Sequence, residues 1–379
     1  MELVLGVLVG LIILVFLVVI HELGHAIVAH RNGVIVEEFG IGFPPKAWGK
    51  KLKNGTLFTL NWLPLGGFVK LQGENDAASK KGDYGAASFW VKTKILLAGV
   101  LVNWLMAVIL LTGLAITGLP KILPGQFSIA SDSTTITEPV QLMNLVKQAP
   151  AEQAGFKSYD KILRFDGKDV RTTEQLIQFT KDYRGKTVNI IYSRNNEEAQ
   201  KTVTLNNNKE ANFGASLGQQ ERIKSTWSAP IVGVVTTGQF TIATLQGLGN
   251  LLANLGKGIV LQLSSDSAVR KQASEELQTV GSSVAGPIGI LGVIFPSAQK
   301  AGPTELVFLT AIISLTLAVM NVLPIPALDG GRWFLMALFR ALKKPLTKER
   351  EEKIVGVSFM ILMVLIVVVT VSDVGKLFK

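Results

Sequence analysis

The chain has 379 residues, of which 48% are hydrophobic and only 17% charged, and its mean hydropathy is +0.38. Ordinary soluble domains carry about 25% charged residues, so a water-soluble globule and a disordered polymer are both excluded. The net charge of +10 reads as basic loops against an anionic leaflet rather than a nucleic-acid surface, and the lack of cysteine removes disulfides, thiolate metal sites and cysteine nucleophiles together.

The first element is an unbroken apolar run over residues 3–20, long enough as a helix to cross a hydrocarbon core about 30 Å thick. Without a basic leader or a small-residue cleavage site, it is predicted to be a retained span rather than a signal peptide. It ends in His21-Glu22-Leu23-Gly24-His25, an H-E-x-x-H pattern. Helix positions four apart lie about 40° apart round the axis, so both imidazoles can face one metal ion. Glu22, about 100° from His21, can reach a water on that ion without being a ligand. Zinc would bring that water's pKa from about 15.7 toward about 7, and the carboxylate would take the proton. His30 lies about 140° round from His25 and cannot join the site while the helix continues. Glu37 and Glu38 lie beyond Gly33, and nothing in the spacing favours them.

Residues 31–94 hold ten Lys or Arg and form the first loop. Phe58, Leu60 and Trp62 alternate with Thr59 and Asn61, then residues 64–67 read as a turn before 68–71, which predicts a small β-hairpin at the membrane face. A second span is predicted over 95–119. Residues 138–206 differ, being charged and broken into short strands at 161–165, 188–192 and 202–205. Residues 231–263 place Leu248, Leu251, Leu252, Leu255 and Ile259 at helical spacing but also carry Thr236, Thr237, Gln239, Gln246, Asn250 and Asn254. An amphipathic helix on the outer surface is predicted there. Residues 284–295 are apolar but short and glycine-broken, a re-entrant or interfacial piece.

Spans three and four are predicted over 306–328 and 354–371. The loop after span three holds seven Lys or Arg within residues 332–353. Both basic loops are therefore assigned to the cytoplasm, with both termini and the central domain extracytoplasmic. Spans one and three then run in the same direction and end in the same leaflet. Span three ends in Asn321, Pro324, Pro326 and Asp329-Gly330-Gly331. Two prolines two residues apart break a helix, and broken backbone at membrane depth is tolerated only against protein or a wet cavity. Asp329 is the lone carboxylate between Glu305 and Glu349 and is the candidate third ligand. Two histidines and one carboxylate leave the fourth zinc position open, the catalytic rather than the structural arrangement.

The pairing of H-E-x-x-H with N-x-x-P-x-P-x-L-D-G resembles the site-2 protease family of intramembrane zinc metalloproteases (peptidase family M50), in its RseP-like branch. The likeness extends to residues 39–46, 63–70 and 286–290. It implies that His21, His25 and Asp329 hold Zn²⁺, that Glu22 is the general base, and that Asn321 helps hold the substrate. It also implies a substrate role for the hairpin residues Gly66, Gly67 and Phe68, along whose strand an unwound segment would add. Residues 149–167 and the strands after them are similar to a bacterial PDZ domain, with Tyr159 where the pattern has glycine. The expected architecture is thus a membrane α-helical fold of four transmembrane helices, with a membrane-associated β-hairpin and an inserted α+β PDZ domain. The expected divisions are 1–119, 120–220 (PDZ), 221–300 (linker) and 301–379. The implied activity is cleavage of single-span membrane proteins, such as anti-sigma factors or remnant signal peptides, in the plasma or inner membrane, with the site near the cytoplasmic face. The rival reading is a non-catalytic PDZ-bearing adaptor with a structural metal. A transporter is discounted because spans two and four offer only Asn103, Ser358 and threonines.

Overall fold

The computed structural model describes residues 2–194, 197–207, 212–264, 266–283 and 285–377. They form two compact units, one of Met1–Leu111 with Gly233–Lys379 and one of Thr112–Val232. The first unit opens with α1 (Glu2–Arg31), which carries the apolar run and the H-E-x-x-H residues in one helix. Gly33, at φ +79°, ends it. Val34 N–H returns to Ala29 O and Gly33 N–H to His30 O, which satisfies carbonyls of the last turn; His30 stays within the helix, on a different face from His21 and His25.

Two long bent strands follow, β1 (Val36–Lys51) and β2 (Leu57–Leu71). The pairing differs from the predicted one. Residues 58–62 do not face 68–71; residues 38–41 of β1 lie between them, Phe39 opposite both Val69 and Phe58. The expectation took the nearest alternating run as the partner and missed that Val36, Phe39 and Leu71 are the buried side chains of this sheet. Helix α2 (Phe89–Thr117) then carries the second apolar run. Gly24 of α1 lies so close to it that a Cβ there would stand 2.9 Å from Ala98 O, so a side chain at this position would force the two helices apart.

The second unit is built from short strands, β3 (Leu119–Pro120), β4 (Thr134–Thr137), β5 (Val140–Leu145), β6 (Lys161–Phe165), β7 (Lys168–Asp169), β8 (Thr187–Arg194), β9 (Glu197–Thr204), β10 (Ala215–Gly218) and β11 (Glu221–Lys224). Helices α3 (Pro150–Gln153) and α4 (Thr173–Asp182) join them, the latter capped by the Thr172 hydroxyl on Gln175 N–H. The main sheet runs β10-β5-β6-β8-β9, with β7 beside β6, and a three-stranded sheet runs β3-β11-β4. Val140, Leu142, Phe156, Ile162, Phe165, Leu176 and Ile190 fill its core. Tyr159, the departure from the PDZ pattern, takes φ +71°, so the turn keeps its left-handed shape with a side chain in place of glycine.

The chain re-enters the first unit through α5 (Ala229–Gln262), α6 (Ser267–Ser283), α7 (Pro287–Gly289), a π-helical turn (Ile290–Ile294) and α8 (Phe295–Ala301). Val284, the start of the predicted re-entrant piece, lies outside the described residues. Helix α9 (Pro303–Val322), α10 (Asp329–Ala341) and α11 (Lys348–Leu377) complete it. The four predicted spans fall in α1, α2, α9 and α11. Helix α5 is a fifth that is long and apolar enough to cross a membrane, where the sequence predicted a surface helix. Three of its threonines are satisfied within the helix, while the buried Thr236 hydroxyl has no partner among the described residues. Thr237, Thr241 and Thr244 hydroxyls return to carbonyls one turn back, and Thr236 and Thr237 are fully buried. Trp104 of α2 donates to Thr241 Oγ1 at 3.2 Å, and Phe240 meets Phe308 of α9 at 5.8 Å, so α5 packs among the apolar helices. Beyond that, Gln262 bonds Ser274, and Lys257 pairs with Glu276 of α6.

At positions 6 and 10 of α1 the helix packs against α8: a Cβ on Gly6 would meet Pro296 Cα at 2.6 Å, and one on Gly10 the Phe295 ring at 2.6 Å. Helix α9 begins two residues after α8 ends, so its start lies near the first turns of α1.

Candidate metal centre

Helix α9 stops at Val322 because Pro324 and Pro326 remove two N–H donors, and α10 restarts at Asp329. The loop between folds hard onto α10. A Cβ on Gly330 would lie 2.1 Å from Val322 O, and one on Gly331 1.8 Å from Ile325 O. Neither glycine has positive φ among the backbone exceptions, so they serve by close approach rather than by conformational freedom. The result places the Asp329 carboxylate at the amino-terminal end of α10, pointing at α1.

There it meets both histidines. Asp329 Oδ2 is 3.1 Å from His21 Nε2 and 3.2 Å from His25 Nε2, and the two Nε2 atoms are 3.2 Å apart. Donors about 2.0–2.1 Å from a tetrahedral zinc stand about 3.3 Å from one another, so this near-equilateral triangle fits one face of such a site. Two imidazole nitrogens turned toward each other beside a carboxylate are also the donor set that a divalent cation requires. His21 and His25 are 7% and 6% exposed, which keeps the site largely dry while leaving one side open.

That side is a cavity of about 220 Å³ lined by His21, Glu22, Asp329, Asn103 and Asn321, with Val18, Leu317 and Leu328 as its apolar wall. Glu22 is not in the donor triangle. Its Oε2 accepts the N–H of Val69 of β2 at 3.0 Å, which fixes the carboxylate beside the ligands. Gly67 passes close to the same side chain, a Cβ there standing 3.9 Å from Glu22 Cγ. Gly66, at φ +127°, turns the strand past Val18 and Phe43, while the Phe68 ring lies over Gly40 within the sheet. Glu38 is held by Thr59 and Glu37 by Lys70, so neither joins the donors.

Compared with known families, residues 9–365 match Peptidase family M50. The chain belongs to peptidase family M50. A protein of Clostridium perfringens whose name marks it as a candidate zinc metalloprotease is 31% identical over 360 residues, covering 94% of this chain and 95% of its own. RasP of Bacillus subtilis, described as a regulator of sigma-W protease, is 26% identical over 450 aligned positions, covering 96% of each chain. Among solved structures, the PDZ domain of an SdrC-like protein from Listeria monocytogenes matches 21% of this chain and 87% of its own, at 23% identity and a TM-score of 0.20. The M50 chain is thus an integral membrane zinc metalloprotease, and His21, His25 and Asp329 are positioned to bind its metal.

Sequence reasoning missed what α2 contributes to the M50 site. His25 Nδ1–H donates to Ile95 O at 2.7 Å. A Cβ on Gly99 would lie 2.5 Å from His25 Nε2 and 2.7 Å from His21 Nε2, so only glycine lets the ligands pass. The available signal was Gly99 four residues before Asn103 inside an otherwise apolar run.

Proposed function

We propose that this M50 chain is an intramembrane endopeptidase that hydrolyses a peptide bond within or beside the transmembrane segment of a single-span protein. The observation that carries the reading is the donor triangle at the joined ends of two apolar helices, with Glu22 and Asn321 facing the same cavity. His21, His25 and Asp329 would hold the zinc, which when bound supplies Lewis-acid polarisation and makes water a usable nucleophile near neutral pH. Glu22 accepts the proton of the attacking water on its carboxylate and returns it to the leaving amine. The Val69 N–H keeps that carboxylate aimed at the reacting centre. Asn321 offers its amide to the substrate backbone. Gly66, Gly67 and Phe68 form the stretch along which an unwound segment would lie, by strand addition to β2.

The basic loops 31–94 and 332–353 support a site near the cytoplasmic face, with both termini and residues 120–220 on the other side; on that reading α5 enters the apolar bundle from the outer side without completing a crossing. We read residues 120–220 as a PDZ domain that screens the outer part of substrates. We take membrane-anchored regulators such as anti-sigma factors as the substrate class implied by the family likeness, with remnant signal peptides as a second group; the name of RasP as a regulator of sigma-W protease is in keeping with the first.

The test is a reporter transmembrane peptide offered to the reconstituted chain. Wild type should cleave it, while Glu22→Gln should keep its zinc and lose roughly 10²-fold or more of the rate. Undiminished cleavage by Glu22→Gln refutes the assigned base. A wild-type chain that binds zinc yet cleaves no membrane segment would favour the adaptor.

A further inference from the structure

The cavity has one polar group that the reaction above leaves unused. Asn103 of α2 is 0% exposed, lines the cavity beside His21, and its Oδ1 has no hydrogen-bond partner. Its Nδ2 lies 3.4 Å from His21 Nδ1. An unpaired amide oxygen in an apolar bundle costs free energy that the fold would not retain without return.

The chemistry of the histidine resolves this. His21 Nε2 belongs to the donor triangle and must present a lone pair there. A neutral imidazole carries one proton, so Nδ1 is then an N–H donor. Two donors cannot bond each other. Turning the Asn103 amide by 180° puts Oδ1 opposite Nδ1–H, which pairs the oxygen with the imidazole and moves the amide N–H groups to the position that Oδ1 held. His25 has the same arrangement already, its Nδ1–H on the carbonyl of Ile95. The two acceptors lie on one helix, eight residues apart, and Gly99 midway between them leaves the room both rings occupy.

We infer that Asn103 is a positioning residue of the metal centre. Its side-chain oxygen accepts the His21 Nδ1 proton, fixes the Nε2-donor tautomer and ring plane, and so sets the affinity for zinc. The inference rests on the zinc reading of the triangle. Helix α2 thus supplies no ligand but orients both imidazoles, the outer-shell function that elsewhere is worth roughly 10–100-fold in metal affinity.

The full chain in detergent or nanodiscs can be titrated with zinc against a chromophoric chelator and with cobalt for its visible spectrum. Asn103→Leu, close in volume and without an acceptor, should bind zinc about 10–100-fold more weakly and shift the cobalt bands. Its metal-free melting temperature should match that of the metal-free wild type. Asn103→Asp, which keeps an acceptor, should restore affinity to wild type or above. Should Asn103→Leu not fold, Asn103→Ala is titrated in its place with the same expectation. Wild-type affinity and an unshifted cobalt spectrum in the acceptor-free variant overturn the inference. Failure of the wild type to take up zinc overturns the triangle reading instead.

Discussion

At the scale of single residues, the metal centre depends on two kinds of position, and only one was legible in the sequence. His21, Glu22, His25 and Asp329 announce themselves because ionisable side chains at the border of an apolar run are costly and rarely idle. Gly99 does not, since a glycine in a span reads as ordinary helix packing. Its importance is visible only once both imidazoles are seen filling the space where its Cβ would stand. Gly99→Ala is therefore expected to weaken zinc binding by at least about tenfold, because the methyl must displace the rings that carry the donor atoms. Equilibrium zinc titration checks this, with Gly113→Ala as control. Nothing lies within 4 Å of a Cβ at position 113, so that variant should bind like wild type. Gly330 and Gly331, beside Asp329 in the sequence, are not simply flexible flanks. In the fold they are points where the broken backbone touches the next helix.

At the scale of elements, apolar run length located α1, α2, α9 and α11 and periodicity located α5, but α6 and α10 were not foreseen and α5 was read as a surface helix. Its threonines and glutamines imitate a wet face, and a pattern of polar side chains cannot reveal that hydroxyls bond within their own helix. The β1–β2 sheet was misjudged for a related reason. Alternation marks a strand but not its partner, and the buried side chains of residues 36–39 decided the register. The start of α5 carries a testable electrostatic cap. Asp132 accepts the hydroxyl and N–H of both Ser228 and Thr226. The Ser228 hydroxyl, then that of Thr226, hold its carboxyl down to about 2 from an ordinary 3.8. A lowered value means that the ionised form is the one the fold stabilises. The cap is therefore fully present above about 3.8 and is lost as pH falls toward 2. Protection of the first-turn amides of α5, taken relative to the intrinsic exchange rate at each pH, should fall over that interval. Asp132→Asn should show low protection already at neutral pH and little further loss with acid. An equal acid response in that variant would remove Asp132 as the cause.

At the scale of the whole first unit, the site is assembled from segments far apart in sequence, and a charge cluster holds them, with Lys92 and Glu351 buried and Glu74 at the surface. Arg332, one turn beyond Asp329 on α10, donates to the Glu74 carboxylate at 2.6 Å and to Glu74 O at 3.2 Å. It also lies 3.6 Å from Glu351 of α11, whose second oxygen accepts the Asp76 N–H. Lys92 of α2 pairs with Asp76, and Arg332 lies 5.9 Å from the centre of the Tyr84 ring. The loop after β2, the helix carrying Asp329 and the start of α11 are thereby joined at one point. Removing Arg332 costs little at the exposed Glu74 but leaves the buried Glu351 carboxylate without its cation, a loss on the order of 1–3 kcal/mol. Arg332→Ala should lower the melting temperature by several degrees and, by loosening α10, weaken zinc binding. A normal melt with normal zinc affinity would show that the cluster is only a solvated face. None of this was readable in advance, because basic loops were read for their sign and not for their partners.

The central claim is that one zinc ion joins α1 to the chain just beyond α9 through His21, His25 and Asp329. Metal content of the purified chain, measured beside an Asp329→Ala variant of equal fold, tests it most directly. The account expects close to one equivalent of zinc in the wild type, bound through nitrogen and oxygen donors in X-ray absorption, and loss of most of it in the variant. A full equivalent retained by Asp329→Ala at wild-type affinity would contradict it.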